Sequence, residues 1–143
     1  MSQKIFRQNR GQLSIEYLLL SAALLAVFAI VLSAAAALFQ SALFAVDAKN
    51  AVLFSNELEK NIDYLGLLSS GSQIEMDAKP MSEWHIFFSS GRIFVQAENK
   101  SFGQKKSASF FPALTPKITA VIVKQNSKVL LLRAGGFVLI KNG

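Results

Sequence analysis

The 143-residue chain contains no cysteine, a single histidine and only three prolines. Without a thiol there is no disulfide, no thiolate metal site and no cysteine nucleophile. One imidazole excludes a His-rich metal site and a relay of several imidazoles. Charge is scarce as well: Asp, Glu, Lys and Arg make up 17% of the residues, against roughly 25% in an ordinary soluble domain, whereas 52% are hydrophobic. That balance excludes a disordered chain and disfavours a cytosolic enzyme. No nucleophile–base pair, P-loop, dinucleotide fingerprint or metal-ligand spacing occurs, so neither a cofactor nor an enzymatic activity is expected. Glu75, Asp77, Glu83 and Glu98 match no calcium loop and read as a solvated face. Trp84-His85 reads as a pair of ordinary strand residues.

The widest gap lies near the N-terminus. From Tyr17 to Val46 there is no charge, no glycine and no proline. A helix needs about 20 apolar residues to span a bilayer, and this run exceeds that. Ahead of it, residues 1–11 carry Lys4, Arg7 and Arg10 and no acid, which leaves 12 bases against 9 acids elsewhere. Half of the +6 net charge therefore sits in a short leader. By the positive-inside rule the leader stays in the cytoplasm and the C-terminal part is exported. Three bases beside a membrane span do not make a nucleic-acid arm, and no specific nucleic acid is expected as a partner.

Glu16 stands at the mouth of the apolar run, where a carboxylate is costly in lipid. A secretory signal peptide or a plain anchor has no use for it. The surrounding residues read Gly11-Gln12-Leu13-Ser14-Ile15-Glu16-Tyr17. Basic leader, glycine, four residues, glutamate and apolar helix together resemble a type IV prepilin. More narrowly, Gln12-x-Ser14-x-Glu16-Tyr17 resembles the archaeal class III signal peptide of adhesion-type pilins. The likeness covers residues 1–46 closely and the remainder only in architecture. Archaeal flagellins share the leader but usually continue with a glycine-containing mature start, whereas here no glycine follows Gly11 until Gly66. The resemblance implies that a membrane-embedded prepilin peptidase cuts between Gly11 and Gln12. It also implies assembly into a homopolymer through the N-terminal helices on a type IV pilus platform.

The chemistry of the motif is consistent with this expectation. Cleavage would free an α-amino group at Gln12 with a pKa near 8, mostly charged at neutral pH. Glu16 would then lie one helical turn away and could pair with the amine of a neighbouring subunit, fixing an axial register. Cyclisation of Gln12 to pyroglutamate would remove that charge, and Glu16 would then need a hydrogen-bond donor or a raised pKa.

The organisation expected is an α+β chain of three parts: a leader over 1–11, a long helix over 12–66 and an extracellular antiparallel β-rich head over 67–143. The helix divides into a membrane or filament-core segment, 12–46, and an amphipathic segment, 47–66. In the latter, Ala51, Phe54, Leu58, Ile62 and Leu65 recur at helical spacing and Gly66 provides a stop. Beyond it, period-two segments place strands at 73–78, 84–88, 92–98, 107–111, 118–124, 129–133 and 137–141 in one predominantly antiparallel sheet. Three turns are expected to close hairpins, at Ser89-Ser90-Gly91, Asn126-Ser127 and Gly135-Gly136. Lys105-Lys106 reads as loop. Asn99-Lys100-Ser101 is an N-glycosylation acceptor pattern, though this composition produces one such triplet by chance. Segments 129–132 and 137–140 are apolar on both faces, which leaves burial within the monomer or contact with another subunit.

The function expected from the resemblance is that of a pilin subunit in an archaeal surface filament serving adhesion or cell–cell contact. The alternatives are a single-pass anchored β-domain that binds a ligand, and a minor pilin of a surface assembly.

Overall fold

The computed structural model describes residues 3–118 and 120–143, with side chains from Ser14 onward. Among the described residues one helix, α1 (Gln3–Leu67), is followed by eight strands, an α+β arrangement. The chain divides after Ser41 into two compact units. The described residues of the first are helix; the second comprises the remainder of α1 and the strands.

Nothing in residues 14–65 interrupts the helix, since neither glycine nor proline occurs there. Within the second unit the expected stripe is buried in full: Ala51, Phe54, Leu58, Ile62 and Leu65 are each at most 5% exposed. Gly66 does not stop the helix, which continues through Leu67. The end is capped instead from the sheet. Arg133 donates from Nη1 to the carbonyls of Leu65 (3.1 Å) and Gly66 (3.0 Å). A guanidinium there satisfies orphaned carbonyls and lies at the negative end of the helix dipole.

The strands are β1 (Gln73–Asp77), β2 (Trp84–Ser89), β3 (Arg92–Asn99), β4 (Gln104–Phe110), β5 (Thr115–Lys117), β6 (Val121–Val123), β7 (Lys128–Ala134) and β8 (Phe137–Asn142). They form two four-stranded sheets rather than one. The first has the order β1-β7-β8-β5 and the second β4-β3-β2-β6. All pairings are antiparallel except β5 with β8.

The first and third expected hairpins are present. Ser89 pairs with Arg92 across Ser90-Gly91, and both turn residues have positive φ (51° and 79°), as a type I′ turn requires. Ala134 pairs with Phe137 across Gly135-Gly136. The Asn126-Ser127 hairpin is not formed. The chain does turn there, with Asn126 at φ 60° and Ser127 N–H donating to the Lys124 carbonyl. However, β7 has both edges occupied, by β1 and β8, so β6 pairs with β2 in the other sheet. The segment expected as one strand over 118–124 is thereby reduced to β6. Thr115–Lys117, with a buried Pro116, forms an additional edge strand. Lys105 and Lys106 belong to the edge strand β4 rather than a loop, where lysines discourage further pairing.

One core joins both inner faces to α1. Trp84, Ile86, Ile93 and Val95 from the second sheet and Met76, Val129, Leu131 and Val138 from the first meet the helical stripe. The rings of Phe54 and Trp84 lie 5.5 Å apart at 49°, a tilted aromatic contact between helix and sheet. The sheets are also tied directly, since Asn142 Nδ2 donates to the Ile122 carbonyl (2.6 Å).

Candidate functional site: the unburied apolar helix and the Asp47 clasp

The first unit carries the feature with the clearest functional meaning. Every residue from Ser14 to Ala42 is exposed. Leu18, Leu25, Phe28, Ile30, Leu38 and Phe39 each present more than 60% of their surface, and they lie on all sides of the helix. Water is a poor solvent for such a surface at about 25 cal/mol per Å². A helix that is apolar all round belongs in lipid or among other helices. By length and composition this one can cross a membrane. Its backbone groups are satisfied within the helix, and Ser21 returns its hydroxyl to the Leu18 carbonyl (3.0 Å), as polar groups in a non-aqueous surrounding must.

Of the motif residues, Ser14, Glu16 and Tyr17 are exposed at the start of this segment, Tyr17 to 70%. Gly11 and Gln12 fall within α1 by backbone, and their side chains lie outside the described residues. Gln12 and Glu16 are thus four residues apart on one helix, about 6 Å along its axis.

Asp47 is the first charged residue after the apolar run, and it is buried (1% exposed). Its Oδ1 accepts from Met81 N–H (2.8 Å) and from Trp84 Nε1–H (3.0 Å). Its Oδ2 accepts from Ser82 N–H (3.1 Å) and from the Ser82 hydroxyl. Four donors replace the lost hydration, which makes burial of the carboxylate tolerable. The result is a clasp that fixes the loop before β2 to α1 and orients the largest core side chain. The composition of the helix hinted at this position: 47, 51, 54, 58, 62 and 65 continue one helical stripe, so Asp47 faces the core. Read simply as a polar residue opening the amphipathic segment, it gave no such sign, and its donors come from residues 34 to 37 positions away.

Beside the clasp is a cleft of about 300 Å³ whose walls include Phe44, Asp47, Glu83, Asn99 and Lys100. Lys100 Nζ contacts Glu83 at 2.9 Å across its rim. The hydrogen bond and charge of Lys100 hold the Glu83 carboxyl below its ordinary pKa, and Glu83 raises Lys100 in return. Asn99, at the end of β3, accepts from Ser101 N–H at Oδ1 (3.1 Å), an Asx turn.

The acids considered as a calcium cluster are not assembled. Glu75 pairs with Lys128, Glu83 with Lys100 and Glu98 with Lys105. Among the described residues no group of His, Asp or Glu could hold a metal ion. Trp84 and His85 point to opposite faces of β2; Trp84 is core, and the buried His85 Nε2 has no partner among the described residues. Compared with family models, curated proteins and solved structures, the chain matches none of them.

Proposed function

We propose that the chain is the structural subunit of an archaeal type IV pilus-like surface filament. It is inserted with the basic leader inside, trimmed between Gly11 and Gln12 by a prepilin peptidase, and polymerised through α1 on a pilus assembly platform. The head is displayed for adhesion or cell–cell contact. One observation carries this: residues 14–42 form an apolar helical surface without any burial, which needs a second solvent. Lipid is that solvent before assembly and identical helices are that solvent afterwards. The basic leader and the Gly11–Tyr17 motif direct the choice toward a processed filament subunit over a permanent anchor. Repetition of the head along a polymer turns weak surface contacts into avidity, without a deep pocket.

The test is electron microscopy and N-terminal sequencing of sheared surface filaments. Native filaments are expected to yield a subunit starting at Gln12, free or as pyroglutamate. A Gly11→Val chain is expected to keep its leader, stay in the membrane and form no filaments. Native material that retains Met1 to Arg10 and remains monomeric would refute the proposal. An exported head also exposes Asn99-Lys100-Ser101 to glycosylation, and glycopeptide mass spectrometry showing bare Asn99 would dismiss that modification.

A further inference from the structure

The sequence contains one N-glycosylation acceptor triplet, Asn99-Lys100-Ser101, and all three of its residues line the cleft beside the Asp47 clasp. Asn99 closes β3 and pairs with Gln104, and residues 100–103 between them form an exposed hairpin loop. The loop folds back on Asn99. Ser101 N–H donates to its Oδ1 (3.1 Å) and Phe102 N–H to its main-chain carbonyl (3.3 Å). The amide oxygen is held by this turn, so the amide nitrogen Nδ2 is the end presented for reaction.

The lining of the cleft selects the chemistry of an occupant. Its charges are already answered. Glu83 pairs with Lys100, Glu98 pairs with Lys105, and the Asp47 carboxylate accepts from four donors. A phosphate or an ammonium ion would have to break one of these pairs to be held, at a cost in desolvated charge. The floor is apolar, with Leu43 and Phe44 half-buried and Met81 55% exposed. The matching ligand is neutral, with a C–H face for the Phe44 ring and hydroxyls for the carboxylate oxygens at the rim. A pyranose ring has that form, since its axial C–H bonds meet the negative face of an aromatic ring. The volume, about 300 Å³, lies at the lower limit of ligand pockets and suits one ring rather than a chain of them.

We propose that the cleft is the seat of the first sugar of a glycan carried by Asn99 itself. The sugar arrives from a lipid-linked glycosyl phosphate through a membrane-bound glycosyltransferase. A bond forms between Asn99 Nδ2 and the anomeric carbon, and the bond from that carbon to the phosphate oxygen breaks. The phosphate leaves with its lipid, and one amide proton passes to a base on the transferase. The attached ring then lies over Phe44 and ties the β3–β4 loop to α1. A shallow, open cleft is sufficient because the tether is short, and an effective concentration of the order of millimolar replaces intrinsic affinity. The inference rests on the export of the head in the proposed function and not on the polymer.

Full-length chains made in the native cells and purified in detergent test this. Glycopeptide mass spectrometry is expected to find a glycan on Asn99 of the native and Ser101→Thr chains, and none on Asn99→Gln or Ser101→Ala. Hydrogen exchange then reads the seat. The Met81 and Ser82 amides donate to Asp47 at the cleft wall. They are expected to exchange about ten-fold more slowly in the glycosylated chain than in Asn99→Gln or Ser101→Ala. Phe44→Leu is expected to keep the glycan and lose that difference, with the protection of the β7 and β8 amides retained. Enzymatic trimming of the native glycan to its first sugar should leave the difference in place, a measurement that changes nothing in the protein. Bare Asn99, or a glycan that leaves both amides exchanging as in Asn99→Gln, would overturn the inference. Bare Asn99 on a head that external protease digests on intact cells overturns this inference alone. A seated glycan on native chains that form no filament overturns the filament alone.

Discussion

Asp47 shows how much a single residue can organise when its partners are complete. Replacing the carboxylate by an amide leaves the shape nearly unchanged but sets an NH2 group against N–H and O–H donors. Asp47→Asn is therefore expected to destabilise the head by about 2–4 kcal/mol, seen in denaturant unfolding, with the Trp84 fluorescence shifted toward that of an exposed indole. Arg133 has a comparable role at the other end of the packed helix. Arg133→Ala removes a charged cap and leaves the Leu65 and Gly66 carbonyls to water, at an expected cost of about 1–3 kcal/mol. The Glu83–Lys100 pair is different because both groups are solvated. Glu83 is depressed, so its contribution is present above the ordinary Glu range and is lost as pH falls through its folded value. Lys100 is raised, so its contribution is present below the ordinary Lys range and is lost as pH rises through its folded value. Side-chain NMR titration should find Glu83 below the ordinary range, and Lys100→Ala should return it there with little change in stability.

At the scale of elements, what could be read from the chain was what local chemistry decides. The helical stripe from Ala51 to Leu65 was legible because a 3.6-residue period specifies which side faces the core. The Ser90-Gly91 turn was legible because a two-residue hairpin favours residues that accept positive φ. The partner of β6 was not, because Asn126-Ser127 signals only that the chain turns. Which strand edge is vacant depends on β1, some 50 positions earlier. Strand β5 was hidden by Pro116, which reads as a breaker yet is tolerated at a sheet edge. The Asp47 donors were hidden for the same reason as the sheet order: they are supplied by sequence-distant segments. A direct check on the turn is Gly91→Val. At φ 79° a β-branched side chain is strained, and a loss of about 1–3 kcal/mol is expected, with β2 and β3 amides losing hydrogen-exchange protection first.

For the whole molecule, the most extensive apolar surface left exposed among the described residues is the helix over 14–42. The helix is uncovered on every side and demands a non-aqueous surrounding. Under the proposed function, Glu16 links this helix to assembly. If its carboxylate sets the axial register against the neighbouring Gln12 amine, Glu16→Gln is expected to reduce filament yield by about ten-fold or more at unchanged membrane insertion. Quantitative shearing and immunoblotting of the membrane fraction measures both. Equal filament yield would show that the pairing is dispensable.

The position of the clasp also has a mechanical consequence. Under the proposed function, traction on the head enters through α1, and after the packing of Phe44 the first hydrogen-bonded fastening along the helix is the carboxylate of Asp47 with its four donors. Hydrogen bonds loaded together in shear yield at higher force than the same bonds opened one by one. The head of an Asp47→Asn chain, pulled by its helix in a single-molecule instrument, should begin to peel at the loop before β2, at a lower rupture force than the native protein.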